Sequence, residues 1–129
     1  MSTLKTTLLS FTVLFMLFLT ACAPDNSSCT PPVISQNIIG TWTVTGGSGT
    51  VEFKSNGTLV DASDDLVGGE INGDVLSVKT YTIANDTLSV MAASPTTTNK
   101  LNVDFPIVDN QCNEISISIA GITGKLTRQ

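Results

Sequence analysis

The residues most suggestive of chemistry lie in segment 61–74, which holds five acidic side chains and three glycines within fourteen residues. Clustered carboxylates of this kind can bind Ca²⁺ in an EF-hand loop. Such a loop would take its first ligands from Asp61, Ser63 and Asp65. The same alignment places Leu66 where glycine is needed and Asn72 where a bidentate glutamate is needed, so the calcium motif fails. We expect a solvated loop here, with adventitious calcium, a partner-binding role or a lid role as alternatives.

The same acids are poor candidates for acid/base catalysis. Asp64 and Asp65 are adjacent, and a glycine-rich segment offers no burial that would separate their pKa values. Histidine is absent from the chain, which excludes Ser/His/Asp and Cys/His sites and His-ligated zinc or haem. We therefore predict no enzyme, no cofactor and no metal site.

Charge and composition narrow the class of protein further. The formal charge is 6 − 11 = −5, the opposite of what a nucleic-acid binder needs. Charged residues make up 13% of the chain while Thr, Ser, Asn and Gly are plentiful. This balance is typical of an envelope β protein.

The N-terminal residues predict the cellular location of the protein. Lys5 precedes an apolar run of twelve residues, 8–19, which is too short to span a bilayer but suits the core of a signal peptide. The run ends in Leu19-Thr20-Ala21-Cys22, which resembles the bacterial lipobox. An ordinary secretory signal and an uncleaved membrane anchor are the alternatives.

The lipobox resemblance implies how the chain is processed. Residues 1–21 would be the signal peptide, residues 22–32 a lipidated cysteine and tether, and residues 33–129 the domain. Cys22 would carry acyl chains such as palmitate, and several chains make a durable anchor. Ala23 follows Cys22 where an Asp would retain the protein at the inner membrane, so the resemblance favours the outer membrane.

Two further cysteines remain, Cys29 and Cys112. No nearby CxxC or histidine supports redox or metal chemistry, and an oxidising envelope favours pairing. We predict a structural disulfide, for which the chain-entropy model suggests about 4 kcal/mol.

From Val33 onward, apolar and polar residues alternate with the period of two that is typical of half-buried strands. Asn56-Gly57 predicts a hairpin turn between two of these strands, and Asn85-Asp86 marks a second hairpin. Seven or eight short strands without helical periodicity indicate an antiparallel sandwich or an up-and-down barrel.

A resemblance favours the barrel. Gly40-Thr41-Trp42 at the head of the first strand is similar to the G-x-W motif of the lipocalin family and of small lipocalin-like bacterial lipoprotein domains, and residues 51–60 and 81–90 resemble their hairpins. The resemblance implies an all-β, small antiparallel up-and-down barrel of about eight short strands. It also implies that Arg128 packs over Trp42 and closes one end of the barrel.

The alternate strand positions that we expect to face the barrel interior are almost all apolar. Its members are Trp42, Val44, Val51, Phe53, Leu59, Tyr81, Ile83, Leu88, Val90, Leu101, Val103, Phe105, Ile107, Ile115, Ile117, Ile119, Ile122 and Leu126. An eight-stranded barrel can be filled by such side chains or hold one small ligand, and we expect a filled core. If a cavity exists, its candidate ligand-lining residues are Phe53, Tyr81, Val103, Phe105 and Ile117, and its guest is apolar.

Two functional hypotheses follow. The first is a membrane-anchored envelope lipoprotein that binds a small apolar molecule without catalysis. The second is a protein-interaction module, such as a hydrolase inhibitor or a structural envelope protein with a filled barrel. Both have a membrane as partner through the lipid anchor, and neither binds nucleic acid.

Overall fold

The computed structural model describes residues 29–129 and is almost entirely β. It contains one short helix, α1 (Ile34–Asn37). The strands are β1 (Gly40–Val44), β2 (Thr50–Phe53), β3 (Leu59–Asp61), β4 (Glu70–Ile71), β5 (Asp74–Val75), β6 (Val78–Ala84), β7 (Thr87–Ala93), β8 (Lys100–Asn110), β9 (Glu114–Ile119) and β10 (Ile122–Arg128). The predicted signal peptide and the lipobox cysteine lie outside the described residues.

Eight of these strands form one antiparallel sheet in the order β3-β2-β1-β10-β9-β8-β7-β6. Most neighbours are consecutive hairpins, whereas β1 pairs with β10, for instance Trp42 with Arg128, and so joins the first strand to the last. The remaining two strands, β4 and β5, pair only with each other. The predicted small antiparallel barrel of about eight strands is confirmed.

The barrel closes where β3 meets β6. The contact consists of an antiparallel bridge between Thr58 and Thr80 and a hydrogen bond from the Tyr81 N–H to the Gly57 carbonyl (2.8 Å). Beyond these residues the two strands are not paired in a ladder. We call this boundary the seam.

The hairpin turns explain the local chain reversals. Gly57 has φ +84° at the turn between β2 and β3, a conformation that glycine adopts without steric cost. The turn between β6 and β7 lacks glycine, and Asn85 (φ +48°) and Asp86 (φ +54°) both adopt left-handed backbone conformations there. Their short polar side chains tolerate this region better than other residues do.

The core lies inside the barrel. Of the predicted inward set, Ile83, Leu101, Val103 and Ile107 are partly buried, and most of the others are fully buried. Two predictions in that set were wrong, since Ile119 and Ile122 are 39% and 73% exposed. The ladder between β8 and β9 stops at Ile117, so the tip of the β9–β10 hairpin has no paired strand on that side.

The alternating strand directions give the barrel two distinct ends. The helix end carries α1 and the turns that follow β2, β6 and β8. The loop end carries the connections 45–49, 62–77, 94–99 and 120–121. We call residues 62–77, which join β3 to β6 across the seam, the cover loop.

Candidate functional site

The cover loop closes the loop end of the barrel with apolar side chains. Leu66, Val67 and Leu76 are 8%, 2% and 1% exposed and belong to the same hydrophobic cluster as the strand residues. Burying side chains of this size stabilises the folded state by about 1.5–3 kcal/mol each. These three side chains therefore belong to the core. Our interpretation of segment 61–74 as a solvated loop was wrong for Asp61, Leu66 and Val67, whereas half of the segment's residues are exposed.

Asp61, the last residue of β3, organises the first turn of the cover loop. Its carboxylate is fully buried and accepts hydrogen bonds from the N–H groups of Asp65 (2.8 Å), Leu66 (3.2 Å) and Val67 (3.2 Å). A buried carboxylate needs such donors, because burying an unpaired charge is very costly. The acid positions the backbone that places Leu66 and Val67 over the barrel.

Lys79 of β6 reaches across the seam to the same carboxylate. Its Nζ donates to the Asp61 main-chain carbonyl (2.6 Å), to Asp61 Oδ2 (3.3 Å) and to Asp64 Oδ1. The Lys79 side chain is 6% exposed, that of Asp61 is 0% exposed and that of Asp64 is 49% exposed. We call Asp61, Asp64 and Lys79 the latch, because they join β3 to β6 where the ladder is missing.

Asp65 ties the cover loop to the loop between β1 and β2. Its Oδ1 and Oδ2 accept hydrogen bonds from the N–H groups of Ser48 and Gly49, both 2.9 Å long. The hydrogen bond from Ser48, followed by that from Gly49, lowers the pKa of Asp65. Gly47 permits this approach, since a Cβ there would lie 2.7 Å from Asp65 Cγ.

Asp74 ties the same loop to the connection between β7 and β8. Its carboxylate accepts hydrogen bonds from the Thr97 hydroxyl, from Ser94 Oγ (2.9 Å) and from Asn99 Nδ2 (3.0 Å). These bonds, that from Thr97 foremost, lower the pKa of Asp74. Asp61, Asp65 and Asp74 thus hold the loop in place. Asp64 bonds to Lys79 while its side chain is half exposed, and Glu70 is exposed to solvent.

At the helix end, Arg128 lies over Trp42 with its guanidinium carbon 4.2 Å from the ring centroid. The guanidinium also donates to Asn37 Oδ1 (2.9 Å) and to the carbonyls of Asn37, Ile39 and Cys112. The Trp42 indole N–H donates to the Ile38 carbonyl (2.7 Å). Cation–π contacts of this type contribute about 0.5–2 kcal/mol. These contacts fasten α1 and Ile38 over this end of the barrel.

Cys29 and Cys112 are joined by a disulfide, with their Cα atoms 6.2 Å apart. The bond connects the residues that precede α1 to the turn between β8 and β9, at the helix end. Asn110 supports the same connection by donating from Nδ2 to the Pro32 carbonyl (2.9 Å). The described part of the predicted tether is therefore held against the barrel.

The candidate ligand-lining residues pack in the core. Phe53, Phe105 and Ile117 are 1%, 2% and 0% exposed. These three side chains therefore present almost no surface to a cavity large enough to admit water. Tyr81 packs edge-on against Phe53 and donates its hydroxyl to the Lys54 carbonyl (2.8 Å), and Val103 is partly buried. Burial raises the pKa of the Tyr81 phenol.

An open groove of about 540 Å³ lies along the seam. Its walls are segments 58–62 and 75–80, with Asp64 and Gly69 of the cover loop at one end. Three apolar side chains at the groove are exposed: Val60, Val75 and Val78. We call this feature the seam groove.

Sequence reasoning missed the latch because Lys79 looks like an ordinary surface residue. One signal was available, since Lys79 shares the inward parity of Tyr81 and Ile83. A lysine on the inward face of a strand requires a buried anionic partner.

Residues 29–129 contain no cluster of three or more acidic, cysteine or histidine side chains that could hold a metal ion. Within the same residues, no helix has the length and apolarity needed to cross a membrane.

No protein-family model matches the chain, and neither a curated protein nor a solved structure is significantly similar to it.

Proposed function

We propose that this chain is a lipid-anchored protein of the bacterial cell envelope whose lipocalin-like barrel is a non-catalytic module that binds a protein partner. The observation that supports the second half of the proposal is the burial of the side chains on the inner faces of the strands. Trp42, Leu88, Ile115, Ile117 and Leu126 are 0% exposed. A barrel filled by such side chains would bind a partner through its outer surface.

The lipobox resemblance supports the first half. Acylation of Cys22, with palmitate among its chains, would anchor the protein, and Ala23 favours the outer membrane. Six residues lie between Cys22 and Cys29, so the domain would begin within about 25 Å of the anchor. Since Cys29 is bonded at the helix end, the loop end would face away from the membrane and towards a partner.

The anchor is tested by comparing the wild-type chain with Cys22→Ser in cells fed labelled palmitate. We expect label and membrane fractionation for the wild type and neither for the variant. A labelled Cys22→Ser protein, or an unlabelled wild type, would contradict the assignment.

The partner-binding role is tested by placing a photoreactive residue at Glu70, on the loop end, or at Lys54, on the helix end. Both side chains are exposed, which makes the two positions a matched pair. We expect a discrete cross-linked protein in intact cells from position 70 and none from position 54. Equal cross-linking at both positions, or none at either, would contradict a partner at the loop end.

Native mass spectrometry of the domain, purified from cell envelope with its disulfide oxidised, separates this role from that of a carrier. A bare mass is expected for a filled barrel. An adduct of lipid mass that organic solvent removes would instead favour an apolar-ligand carrier.

A further inference from the structure

The chain contains the dipeptide Asn-Gly twice, at residues 56–57 and 72–73. Asparagine is a chemically labile residue, and its side-chain carboxamide is most open to attack by the next main-chain nitrogen when that nitrogen belongs to glycine, which has no Cβ to obstruct the approach. Both pairs form hairpin turns, so the dipeptide alone does not distinguish them. The hydrogen bonds around the two turns do.

The turn between β2 and β3 holds both of its reacting groups. Asn56 Oδ1 accepts a hydrogen bond from the Thr58 N–H (3.0 Å). The Gly57 N–H, whose nitrogen would attack, donates to the Lys54 carbonyl (3.0 Å), and the Gly57 carbonyl accepts the Tyr81 N–H across the seam (2.8 Å). Reaction at this turn would therefore require breaking hydrogen bonds that connect β2, β3 and β6.

The turn between β4 and β5 leaves the same groups open. Asn72 has φ +53° and Gly73 has φ +83°. Both residues are exposed, and a Cβ on Gly73 would meet no atom within 4 Å. Neither the Asn72 carboxamide nor the Gly73 N–H has a hydrogen-bond partner within residues 29–129. The two reacting groups therefore give up no hydrogen bond of their own when they react.

The β4–β5 hairpin also opens more easily than the β2–β3 hairpin. Its strands have two residues each and pair only with each other, and an isolated two-stranded hairpin is marginally stable. Its base is fixed, since the Leu76 N–H donates to the Gly69 carbonyl (2.7 Å) and Asp74 accepts from Ser94 Oγ (2.9 Å). The backbone rotation that brings the Gly73 nitrogen to the Asn72 carboxamide therefore needs to disturb only the tip.

We propose that Asn72-Gly73 is the site at which the folded domain deamidates spontaneously. The Gly73 nitrogen loses its proton and attacks Asn72 Cγ, and the side-chain nitrogen leaves as ammonia, which closes a five-membered succinimide. Water then opens the ring. Cleavage of the new N–Cγ bond gives aspartate, whereas cleavage of the original main-chain N–C bond gives isoaspartate, whose main chain is one methylene longer.

Either product adds one negative charge at the loop end, between Glu70 and Asp74 in the sequence. Isoaspartate also lengthens a turn of two residues, so it changes the shape of the hairpin as well as its charge. The inference does not depend on the proposed function, because the reaction needs only water and the two residues of the turn.

The test follows the wild-type protein, with its disulfide oxidised, in mildly alkaline buffer at physiological temperature. A glutamate-specific protease cleaves after Glu52 and Glu70 and so places the two Asn-Gly pairs in different peptides. Deamidation adds about 1 Da, and electron-transfer fragmentation locates the change and distinguishes isoaspartate from aspartate. We expect the change at Asn72 to appear at least fivefold faster than at Asn56. Equal rates, or a faster rate at Asn56, would overturn the proposal.

The same measurement in concentrated urea separates the effect of the fold from that of the neighbouring residues. Unfolding removes the hydrogen bonds that protect Asn56-Gly57, so we expect the two rates to agree within about twofold. A ratio that stays above fivefold in urea would show that the neighbouring residues set the rates, which overturns the structural argument.

Matched variants check the assignment by charge. Asn72→Gly and Asn56→Gly each remove one carboxamide and introduce a residue that tolerates the backbone of a turn. Isoelectric focusing of the aged proteins should show an acidic species in the wild type and in Asn56→Gly, and at least fourfold less of it in Asn72→Gly. An acidic species that forms undiminished in Asn72→Gly would overturn the proposal. The peptide measurement on the wild type does not depend on a variant folding.

Discussion

Asp61 and Lys79 form one buried ion pair, yet replacing one or the other should lower the free energy of unfolding by different amounts. Replacing Asp61 with alanine leaves Nζ of Lys79 with fewer acceptors and leaves three main-chain N–H groups without any. An unsatisfied buried donor costs about 1–3 kcal/mol, and breaking a buried pair costs about 3–5 kcal/mol. We expect Asp61→Ala to lower the free energy of unfolding by about 4 kcal/mol.

Replacing Lys79 with methionine should lower the free energy of unfolding by less than Asp61→Ala does, because Asp61 keeps its three N–H donors. Asp61 retains its three N–H donors, and the half-exposed carboxylate of Asp64 turns to water. Methionine fills nearly the same volume with an apolar side chain. We expect Lys79→Met to lower the free energy of unfolding by about 2–3 kcal/mol, near the lower end of the cost of breaking a buried pair.

Urea unfolding followed by the fluorescence of Trp42, the chain's one tryptophan, measures both losses. A loss of 4 kcal/mol in a domain of this size corresponds to a melting temperature lower by about 15–30 °C. Glu70→Ala and Lys100→Met change exposed residues of the same charge types and should stay within about 0.5 kcal/mol of the wild type. The reasoning is refuted if Lys79→Met costs as much as Asp61→Ala, or if Asp61→Ala behaves like the exposed controls.

Three further predictions concern the rest of the barrel. Cys29→Ser should lower the free energy of unfolding by about 4 kcal/mol because it opens a loop of 83 residues; urea unfolding with and without reductant checks this, and a wild type insensitive to reduction contradicts it. The pKa of Asp65 is lowered in the folded state, so its contribution to stability is present above its unfolded pKa near 3.8 and is lost as the pH falls through the folded value. Asp65→Asn should therefore flatten the stability profile as the pH falls through 3.8 and below, and an unchanged slope would count against the Ser48 and Gly49 bonds. Arg128→Met should cost about 2 kcal/mol through the lost cation–π contact and hydrogen bonds, whereas Lys125→Met on the same strand, 51% exposed, should cost less than about 0.5 kcal/mol.

Several strands were predictable because their residues alternate between a more buried and a less buried face. Trp42 and Val44 of β1, and Leu88 and Val90 of β7, follow the alternation that a barrel wall imposes. β9 departs from it, since Ser116 is buried between Ile115 and Ile117. The first hairpin was predictable from its turn residues, since Asn56-Gly57 supplies the positive φ that the chain reversal needs. The local sequence pattern was sufficient to predict strand pairing where the paired strands also follow each other in the sequence.

The candidate site was less predictable because its contacts join distant residues. Asp65 bonds to Ser48 and Gly49, and Asp74 bonds to Thr97 and Asn99. No local pattern in an acidic, glycine-rich segment distinguishes such carboxylates from solvated ones. The exposure of Ile122 also depends on where the β8–β9 ladder ends, which alternation within one strand does not reveal.

The disulfide has a consequence for how the domain bears mechanical load. Any tension that reaches Cys29 from the preceding residues passes directly to Cys112 through a covalent bond. The segment between these cysteines, which includes α1 and β1 to β8, is thereby bypassed. A pulling force would be carried by β9 and β10 near the chain's end, and α1 would not be the first element to peel away from the barrel.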